Sequence, residues 1–376
     1  MNGYERMMTA VRGGQPDRIP IWELIINRPV IMALYPDLFS PEKVARYEWG
    51  SCGGYLLQAD FVEEEDLDGI TVFEDYRVRE EIDASTFVDE WGVTWRMESH
   101  GIPYPVGHPI QSESDLDGYA APDPDADYRL ESLRMAVERF KGERAIVFLS
   151  HDAFEFSHYL RGMPNLLMDY ALNPSFVQRV ARLVMDYKAR VLARAAEIGA
   201  DILCTGDDYA HRQAPIMSPE HFRQFVLPYL QQAVDVARIR ELPFLKHTDG
   251  NIWPIIDDIV GTGLDCLDPL EPVADMDMRR VKEAYGDRIA LAGNVDCGRL
   301  LPNGTPGQVV EAVKETIAKG GVGGGLILAS SNSIHPAVNP ENYRAMVEAG
   351  RRFGTYPLDE QMVAEYREKD YAARYR

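Results

Sequence analysis

The feature of this sequence that most constrains its fold is an alternation of short apolar runs with helical patterns from residue 145 onward. Each run is rich in Ile, Leu and Val, as a buried strand is, and the apolar residues of the segments that follow recur at helical spacing. The predicted strands are 145–149, 201–204, 243–247, 266–270, 289–293 and 326–329, and the predicted helices are 174–198, 219–240, 252–260, 277–285, 306–318 and 340–353. Such alternation predicts a parallel sheet covered by its connecting helices.

Two more strands are predicted before residue 145, at 18–24 and 55–60. A helix between them is predicted to begin with Ser40 as its cap and Pro41 in its first turn. Eight strands that alternate with helices are the pattern of a (β/α)8 barrel, the TIM-barrel fold. We therefore expect an α/β protein with a single barrel domain, residues 1–358, and a peripheral C-terminal helix or tail, residues 359–376.

Residues 68–110 have a different texture, because Thr, Val, Tyr, Phe and Trp alternate there with charged residues. This pattern predicts an antiparallel β-hairpin insertion in the barrel. We expect it to lie over the face formed by the C-terminal ends of the strands and to help close a pocket. Phe73, Trp91 and Trp95 would then cover an apolar or aromatic substrate, or would simply pack the hairpins together.

Polar residues follow the predicted strands, where the active site of a parallel α/β protein lies. In the clearest case, the apolar run within 242–251 ends in His247, Thr248 and Asp249, and a helical pattern follows. The other polar strand ends are Ser150 to Asp152, Asp207 to Tyr209, Asp268, Asn294 with Asp296 and Cys297, and Ser330 to Asn332, with His335 beyond. The alternative is that Asp249 or Asn251 only caps the next helix.

We predict that His247, Asp249 and Asp207 are catalytic. The same three residues are the expected metal ligands, because imidazole and carboxylate groups suit zinc, iron or manganese. In a metal-free alternative, carboxylates near His247 would raise its pKa and orient it for proton transfer. The predicted substrate-binding residues are Asp208, Tyr209, Lys246, Asn294 and Ser331.

The charge of the chain narrows the range of partners. The formal charge is −21, from 60 acids and 39 bases, and such a surface repels nucleic-acid phosphates and anionic membranes. No apolar run approaches the roughly 18 residues of a membrane span, the first residues lack a signal-peptide pattern, and the 4 cysteines form no C-x-x-C pair. We therefore expect a cytoplasmic protein with neither a nucleic-acid nor a membrane partner.

Several motifs together resemble the uroporphyrinogen decarboxylase superfamily of (β/α)8 barrels. The residues that carry the resemblance are 14–20 (GQPDRIP), 89–93 (DEWGV), 217–220 (MSPE), 247–251 (HTDGN), 293–296 (GNVD) and 330–335 (SSNSIH). The resemblance implies one of two activities. One branch removes carboxyl groups from uroporphyrinogen without a cofactor, and the other moves a methyl group between a small substrate and the cobalt of a separate corrinoid protein.

Departures from the family pattern favour the second branch. The decarboxylases have an Arg-Gln-Ala-Gly-Arg segment after the first strand that grips substrate carboxylates, whereas this chain has residues 22–28, which contain Glu23 and a single arginine, Arg28. Thiol-methylating members bind zinc through a His-x-Cys pair and a later Cys. Here the pair is His247 and Asp249, and the later position falls near Ser330 or Ser331, so oxygen side chains replace both thiolates.

The first hypothesis is therefore a methyltransferase that acts on a methoxy-aromatic or methylamine-like compound and requires a corrinoid-binding protein as partner. Zinc or another divalent metal would be the cofactor, if one is used. The second hypothesis is a decarboxylase of a smaller carboxylic acid, with Arg28 and Lys246 as carboxylate anchors. The third is a barrel that binds a small ligand without catalysis.

Overall fold

A curved sheet of 7 parallel strands is the centre of the fold in the computed structural model, which describes residues 1–39, 53–98 and 103–375. In chain order the strands are β1 (Gly69–Phe73), β2 (Val78–Asp83), β3 (Thr86–Asp89), β4 (Thr94–Met97), β5 (Pro103–Gly107), β6 (Ala145–Ser150), β7 (Ile202–Thr205), β8 (Phe244–His247), β9 (Cys266–Asp268), β10 (Ala290–Val295) and β11 (Leu326–Ser330). The parallel sheet runs β1-β6-β7-β8-β9-β10-β11, and helices alternate with its strands as the sequence predicts.

Helices pack against this sheet, most of them on its outer side, whereas the first helix, Gly3–Val11, contacts the interior cluster of apolar side chains. They are α1 (Gly3–Val11), α2 (Arg28–Leu34), α3 (Gly53–Glu64), α4 (Glu113–Gly118), α5 (Glu131–Phe140), α6 (Phe154–Arg161), α7 (Met163–Leu172), α8 (Pro174–Ile198), α9 (Pro219–Phe225), α10 (Leu227–Ile239), α11 (Ile256–Gly261), α12 (Met278–Tyr285), α13 (Leu300–Asn303), α14 (Pro306–Gly320), α15 (Pro340–Phe353) and α16 (Glu360–Tyr366). The helix predicted to begin at Ser40 lies outside the described residues. Among the described helices, none is both long and apolar enough to cross a membrane.

The segment 18–26 occupies the gap between β11 and β1. The Trp22 N–H donates to the Leu328 carbonyl at 3.1 Å, and the Leu328 N–H donates to the Pro20 carbonyl at 2.9 Å. On the other side, the Asp68 N–H donates to the Ile21 carbonyl at 2.9 Å. The predicted first strand is thus in the expected place, but it pairs only through isolated bridges.

The strand predicted at 55–60 is wrong, because these residues belong to α3. Leu, Gln and Ala there are good helix formers, and a short apolar run does not by itself distinguish a buried helix from a strand. The strand that enters the barrel is β1, whose Ile70, Thr71 and Val72 are β-branched. The sequence pattern places these residues in the insertion at 68–110, whereas the structure places them in the parallel sheet.

The observed insertion is the antiparallel sheet β2-β3-β4-β5, which follows the C-terminal end of β1. Trp91 packs against Phe156 with ring centroids 4.9 Å apart, and Trp95 packs against Tyr159 at the same separation, 4.9 Å. Phe156 and Tyr159 belong to α6, which follows the C-terminal end of β6. The insertion therefore packs beside the face at which the parallel strands end, and its two tryptophans contact the barrel.

The C-terminal tail also contacts this face. After α16, a short 3-10 helix at Tyr371–Arg374 packs beside the end of β10. The Tyr371 hydroxyl donates to the Asn294 carbonyl at 2.9 Å and accepts the Asp296 N–H at 3.1 Å. The predicted peripheral tail is thus hydrogen-bonded to a strand end of the barrel.

Alternation along each strand separates the barrel interior from the layer between sheet and helices. In β8, Leu245 belongs to the interior cluster, whereas Phe244 packs in the cluster that the helices form with the outer side of the sheet. Small side chains fill part of the narrow interior, including Ala145, Ala290 and Ala292. The same alternation decides which polar residues reach the barrel mouth, the opening at the C-terminal ends of the parallel strands.

Candidate active site at the barrel mouth

His247 ends β8 on the interior side of the barrel wall. It pairs in register with Asp268 at the end of β9, and its Nδ1 lies 2.5 Å from Asp268 Oδ2. Burial opposes a charged imidazole, but the hydrogen bond and charge of Asp268, together with the charges of Asp249 and Asp208, raise the pKa of His247 to about 9. The contact fixes the ring so that Nε2 is the nitrogen left for the mouth.

Two carboxylates surround this Nε2 atom. Asp249 Oδ1 lies 3.6 Å from it, and Asp208 Oδ1 lies 3.9 Å from it. One potential ligand atom from each of the three residues lies within 4.8 Å of the other two. We call these residues, His247, Asp249 and Asp208, the His–Asp cluster.

Gly250 allows the two acidic loops to approach each other. Its φ is +80°, and a Cβ at this position would lie 2.6 Å from the Ala210 backbone carbon. Only glycine avoids both the strained conformation and the clash. The Asp249 N–H also donates to Asp208 Oδ1 at 3.0 Å, so backbone and side chain together keep the carboxylates adjacent.

The donors of the His–Asp cluster fit a divalent metal. Asp249 Oδ1 is buried and has no hydrogen-bond partner, while Asn332 donates to its other oxygen. Burial and the charge of Asp208 both raise the pKa of the Asp249 carboxyl, and a bound cation would relieve that cost. One imidazole and two carboxylates suit zinc, iron or manganese, with Asp268 orienting the histidine.

Asp208, not Asp207, completes the site. The Asp207 carboxylate is fully buried and accepts the N–H groups of Asp152 and Glu155, each at 2.6 Å. It therefore holds the loop that leads from β6 into α6. The geometry therefore brings Asp208, and not Asp207, next to His247 and Asp249.

Lys246 and Tyr209, predicted to bind substrate, lie on the outer side of the barrel wall. The Lys246 Nζ donates to Asp152 Oδ2 at 3.2 Å and to the Asp207 carbonyl at 3.0 Å. It also lies 4.1 Å from the centre of the Tyr209 ring. The Tyr209 hydroxyl donates to the same Asp152 carboxylate. Both side chains are fully buried, and their polar atoms are used in hydrogen bonds within the barrel wall.

Asn294 and Ser331 are also used inside the fold. The Asn294 amide donates to the Leu270 carbonyl at 3.1 Å and accepts the Thr316 hydroxyl at 3.1 Å. The Ser331 hydroxyl accepts the Cys297 N–H at 3.1 Å. Of the predicted substrate-binding residues, Asp208 is the one that this structure brings to the His–Asp cluster.

Three residues that support the His–Asp cluster were not assigned a role from the sequence. Asp268 orients His247, Asn332 donates to Asp249, and Glu271 Oε2 accepts the Gly250 N–H at 3.1 Å. Polar strand ends marked both Asp268 and Asn332 in the sequence, but only the strand register pairs Asp268 with His247. Glu271 and Asn332 lie in loops, for which no periodic signal exists.

The mouth is strongly acidic around the His–Asp cluster. Asp208, Asp249, Asp268 and Glu271 all lie there, and burial raises the pKa of the Glu271 carboxyl. Arg212 is nearby, but its guanidinium donates to the Val273 and Tyr375 carbonyls. This field favours a neutral or cationic ligand over a polycarboxylate.

Comparisons with known proteins agree with this architecture. The family model described as "Uroporphyrinogen decarboxylase (URO-D)" matches residues 41–353. A uroporphyrinogen decarboxylase from Serratia proteamaculans is 26% identical over 287 residues, covering 71% of this chain and 76% of that protein. One from Chlorobaculum tepidum is 24% identical over 265 residues, covering 67% and 72%. A methyltransferase from Methanosarcina mazei has a TM-score of 0.74 at 22% identity and covers 94% of this chain and 99% of its own, which confirms the barrel fold.

Proposed function

Because the chain belongs to the uroporphyrinogen decarboxylase family, we propose that it is a methyltransferase of that family. It takes a methyl group from a small methylated compound, either methoxy-aromatic or methylamine-like. The acceptor is the cobalt of a corrinoid carried by a separate protein. The barrel mouth is where the methyl donor binds.

The observation that carries this proposal is the His–Asp cluster. His247 Nε2 and the oxygens of Asp249 and Asp208 converge within 4.8 Å at the ends of β7 and β8. These side chains suit an ether oxygen or an amine nitrogen, since they combine an oriented imidazole with carboxylates and contain no thiolate. A thiol substrate would call for softer ligands than these.

In the proposed reaction the bond between the methyl carbon and its heteroatom breaks, and its electron pair stays on the heteroatom. The reduced corrinoid of the partner supplies the nucleophile that takes the methyl carbon. The heteroatom must be polarised or protonated as it leaves. His247 directs Nε2 at this heteroatom, and Asp268 holds the ring in that orientation. Asp249 and Asp208 offset the positive charge of the imidazolium or of a bound metal.

A divalent metal held by His247, Asp249 and Asp208 would supply Lewis-acid polarisation of the same heteroatom. Without a metal, His247 supplies a proton from Nε2, and Asp268 stabilises the imidazolium through Nδ1. In both cases the residues have the same positions. Metal analysis of the purified protein distinguishes the two.

The second candidate is decarboxylation, which the names of the related proteins favour. Its weakness is the charge of the mouth. Asp208, Asp249, Asp268 and Glu271 would repel a substrate with several carboxylates, and the Lys246 ammonium is paired with Asp152 at 3.2 Å. Carbon dioxide release from uroporphyrinogen or a smaller acid would support this candidate.

The test of methyl transfer uses the purified protein, a reduced corrinoid-binding protein and a panel of methoxy-aromatic compounds and methylamines. We expect a demethylated product by mass spectrometry and a matching change in corrinoid absorbance. The control reaction omits the corrinoid protein, and His247→Ala serves as the inactive variant. If no donor gives a demethylated product and an acid releases carbon dioxide, the proposal of methyl transfer is wrong and decarboxylation is the activity.

A further inference from the structure

Asn332 bonds to a member of the His–Asp cluster from a strand that does not neighbour its own. Asn332 lies just past the end of β11, whereas Asp249 lies just past the end of β8. Strands β9 and β10 stand between these two in the sheet. The Asn332 amide nitrogen Nδ2 nevertheless donates to Asp249 Oδ2, 83 residues away in the chain. The contact therefore bridges part of the barrel mouth instead of following the barrel wall.

The loop itself sets the direction of this amide. Its oxygen, Asn332 Oδ1, accepts the Ser333 N–H, so its nitrogen is the atom that faces Asp249. An exchange of the two atoms would place oxygen against the carboxylate and an NH2 group against the Ser333 N–H. Only the observed orientation satisfies both neighbours. The loop therefore presents a hydrogen-bond donor, and not an acceptor, to the His–Asp cluster.

This donor distinguishes the two oxygens of the Asp249 carboxylate. Oδ2 is engaged by Asn332, whereas Oδ1 is buried, has no hydrogen-bond partner and lies 3.6 Å from His247 Nε2. A carboxylate without such a contact can turn either oxygen, or both, toward an ion. Hydrogen bonds to ligating carboxylates orient them in this way in metal sites. The contact with Asn332 therefore leaves Oδ1 as the oxygen available to a metal.

The loop that carries Asn332 is anchored on both sides to the segment 18–26, which closes the barrel. Before Asn332, the Ser330 hydroxyl contacts both the Asn332 carbonyl and Glu23 Oε2, the latter at 2.6 Å. After it, the Ile334 N–H donates to the Ile25 carbonyl at 2.9 Å. Asp249 is thus connected through Asn332 and Ser330 to the closure of the barrel.

We propose that Asn332 is a positioning residue for the metal site. Its amide holds Asp249 Oδ2, so that Oδ1 faces the ion together with His247 Nε2. Ser330 acts through Asn332, because it fixes the loop against Glu23. The inference rests on the metal-bound form of the proposed function, and it adds two residues that this form requires although neither is a ligand.

The test measures the binding of zinc, and of cobalt(II) as a spectroscopic probe, to the whole protein. Asn332→Leu removes the amide at similar size and should weaken zinc binding by about 10–100-fold. It should also change the visible absorption spectrum of the cobalt(II) protein, because the ligand arrangement changes. Asn332→Gln retains the amide and should recover part of the affinity. A purely structural role would lower the melting temperature of the metal-free protein but would alter neither metal measurement.

A double variant tests whether Ser330 acts through Asn332. Ser330→Ala should weaken zinc binding in the native background, but it should cause no further loss in the Asn332→Leu background. The matched control is Asn173→Leu, because the Asn173 amide also donates to an aspartate, Asp169, at 2.9 Å. This pair lies at the junction of α7 and α8, and its loss should leave the zinc affinity and the cobalt spectrum unchanged.

Three results would overturn the inference. They are a native protein that binds no zinc, an Asn332→Leu variant with native zinc affinity and cobalt spectrum, and a loss in the double variant equal to the sum of the single losses. Zinc and cobalt binding require neither a corrinoid protein nor a methyl donor. A failure of methyl transfer would therefore leave a positive result for Asn332 standing.

Discussion

Adjacent residues divide between the two sides of the barrel wall, and this division determines the candidate site. Asp207 and Lys246 point to the layer between sheet and helices, where their polar atoms are already paired. Asp208 and His247, one residue further along each chain segment, point to the mouth. Asp207 and Asp208, which have the same side chain, therefore have different roles.

Matched substitutions test this division. We expect Asp208→Asn to lower metal affinity and methyl transfer with little change in stability, because this side chain is 42% exposed. Asp207→Asn should lower the free energy of unfolding, by about 1–3 kcal/mol, because an amide cannot accept both N–H groups. Urea unfolding and zinc titration of the two variants provide the comparison. Loss of metal binding in Asp207→Asn alone would contradict the assignment.

The carboxylate behind His247 gives a second prediction. Asp268→Asn retains the size of the side chain but removes the charge that orients and polarises the imidazole. Losses of such supporting carboxylates typically lower metal affinity or activity by about 10–100-fold. The zinc affinity measured by isothermal titration and the initial rate of methyl transfer should both fall by that order. Unchanged values would show that Asp268 has only a structural role.

At the scale of elements, the barrel depends on the segment 18–26, which closes the gap between β11 and β1. Glu23 is part of this closure. Its carboxyl group is buried and accepts both the Ser330 N–H at 3.2 Å and the Ser330 hydroxyl at 2.6 Å. Burial raises the pKa of Glu23 to about 8, well above its ordinary value of 4.5.

This raised pKa predicts a loss of stability as pH rises. The folded protein holds the Glu23 proton up to about pH 8, whereas the unfolded chain releases it near pH 4.5. The stabilising contribution is therefore complete below pH 4.5 and is lost between pH 4.5 and 8, at up to roughly 1.4 kcal/mol per pH unit. Glu23→Gln should lack this decline.

Urea unfolding at pH 5, 6.5 and 8 measures the effect as the difference between the native protein and Glu23→Gln. Glu138→Gln is the matched control, because Glu138 lies exposed on α5. Parallel pH profiles for native protein and Glu23→Gln would show that the carboxyl of Glu23 does not hold a proton in the fold. A steeper decline in Glu23→Gln would contradict the sign of the prediction.

At the scale of the whole molecule, a metal bound by the His–Asp cluster would stabilise the folded barrel. Its members come from the ends of β7 and β8, and their adjacency depends on the folded loops. An ion that binds the folded chain selectively stabilises it by about 2.7 kcal/mol when its concentration is 100 times the dissociation constant.

We therefore expect zinc or manganese to raise the melting temperature of the native protein and a chelator to reverse the increase. Scanning calorimetry with and without the ion measures it. Asp208→Asn should reduce the shift, and Asp207→Asn should retain it despite a lower starting temperature. An equal shift in native protein and Asp208→Asn would locate the binding elsewhere on this acidic chain.

The sequence by itself determined the alternation of strands and helices from residue 145 onward, although the helices α6 and α7 were not predicted. Strand and helix periods are local properties, since a buried strand needs a continuous apolar run and a covering helix needs an apolar stripe. For the same reason the sequence located His247 and Asp249 at a strand end. The helix pattern at 174–198 coincides with α8 (Pro174–Ile198).

Only the tertiary structure decided which polar side chains meet. The direction of a residue just past a strand depends on how the loop leaves the sheet, so Asp207 and Asp208 could not be distinguished by composition. The contact between His247 and Asp268 depends on the register of β8 against β9. The sequence could not decide between β1 and residues 55–60 as the strand beside β6, because both apolar segments can be buried. In the folded protein β1 occupies that position and completes its backbone hydrogen bonds there.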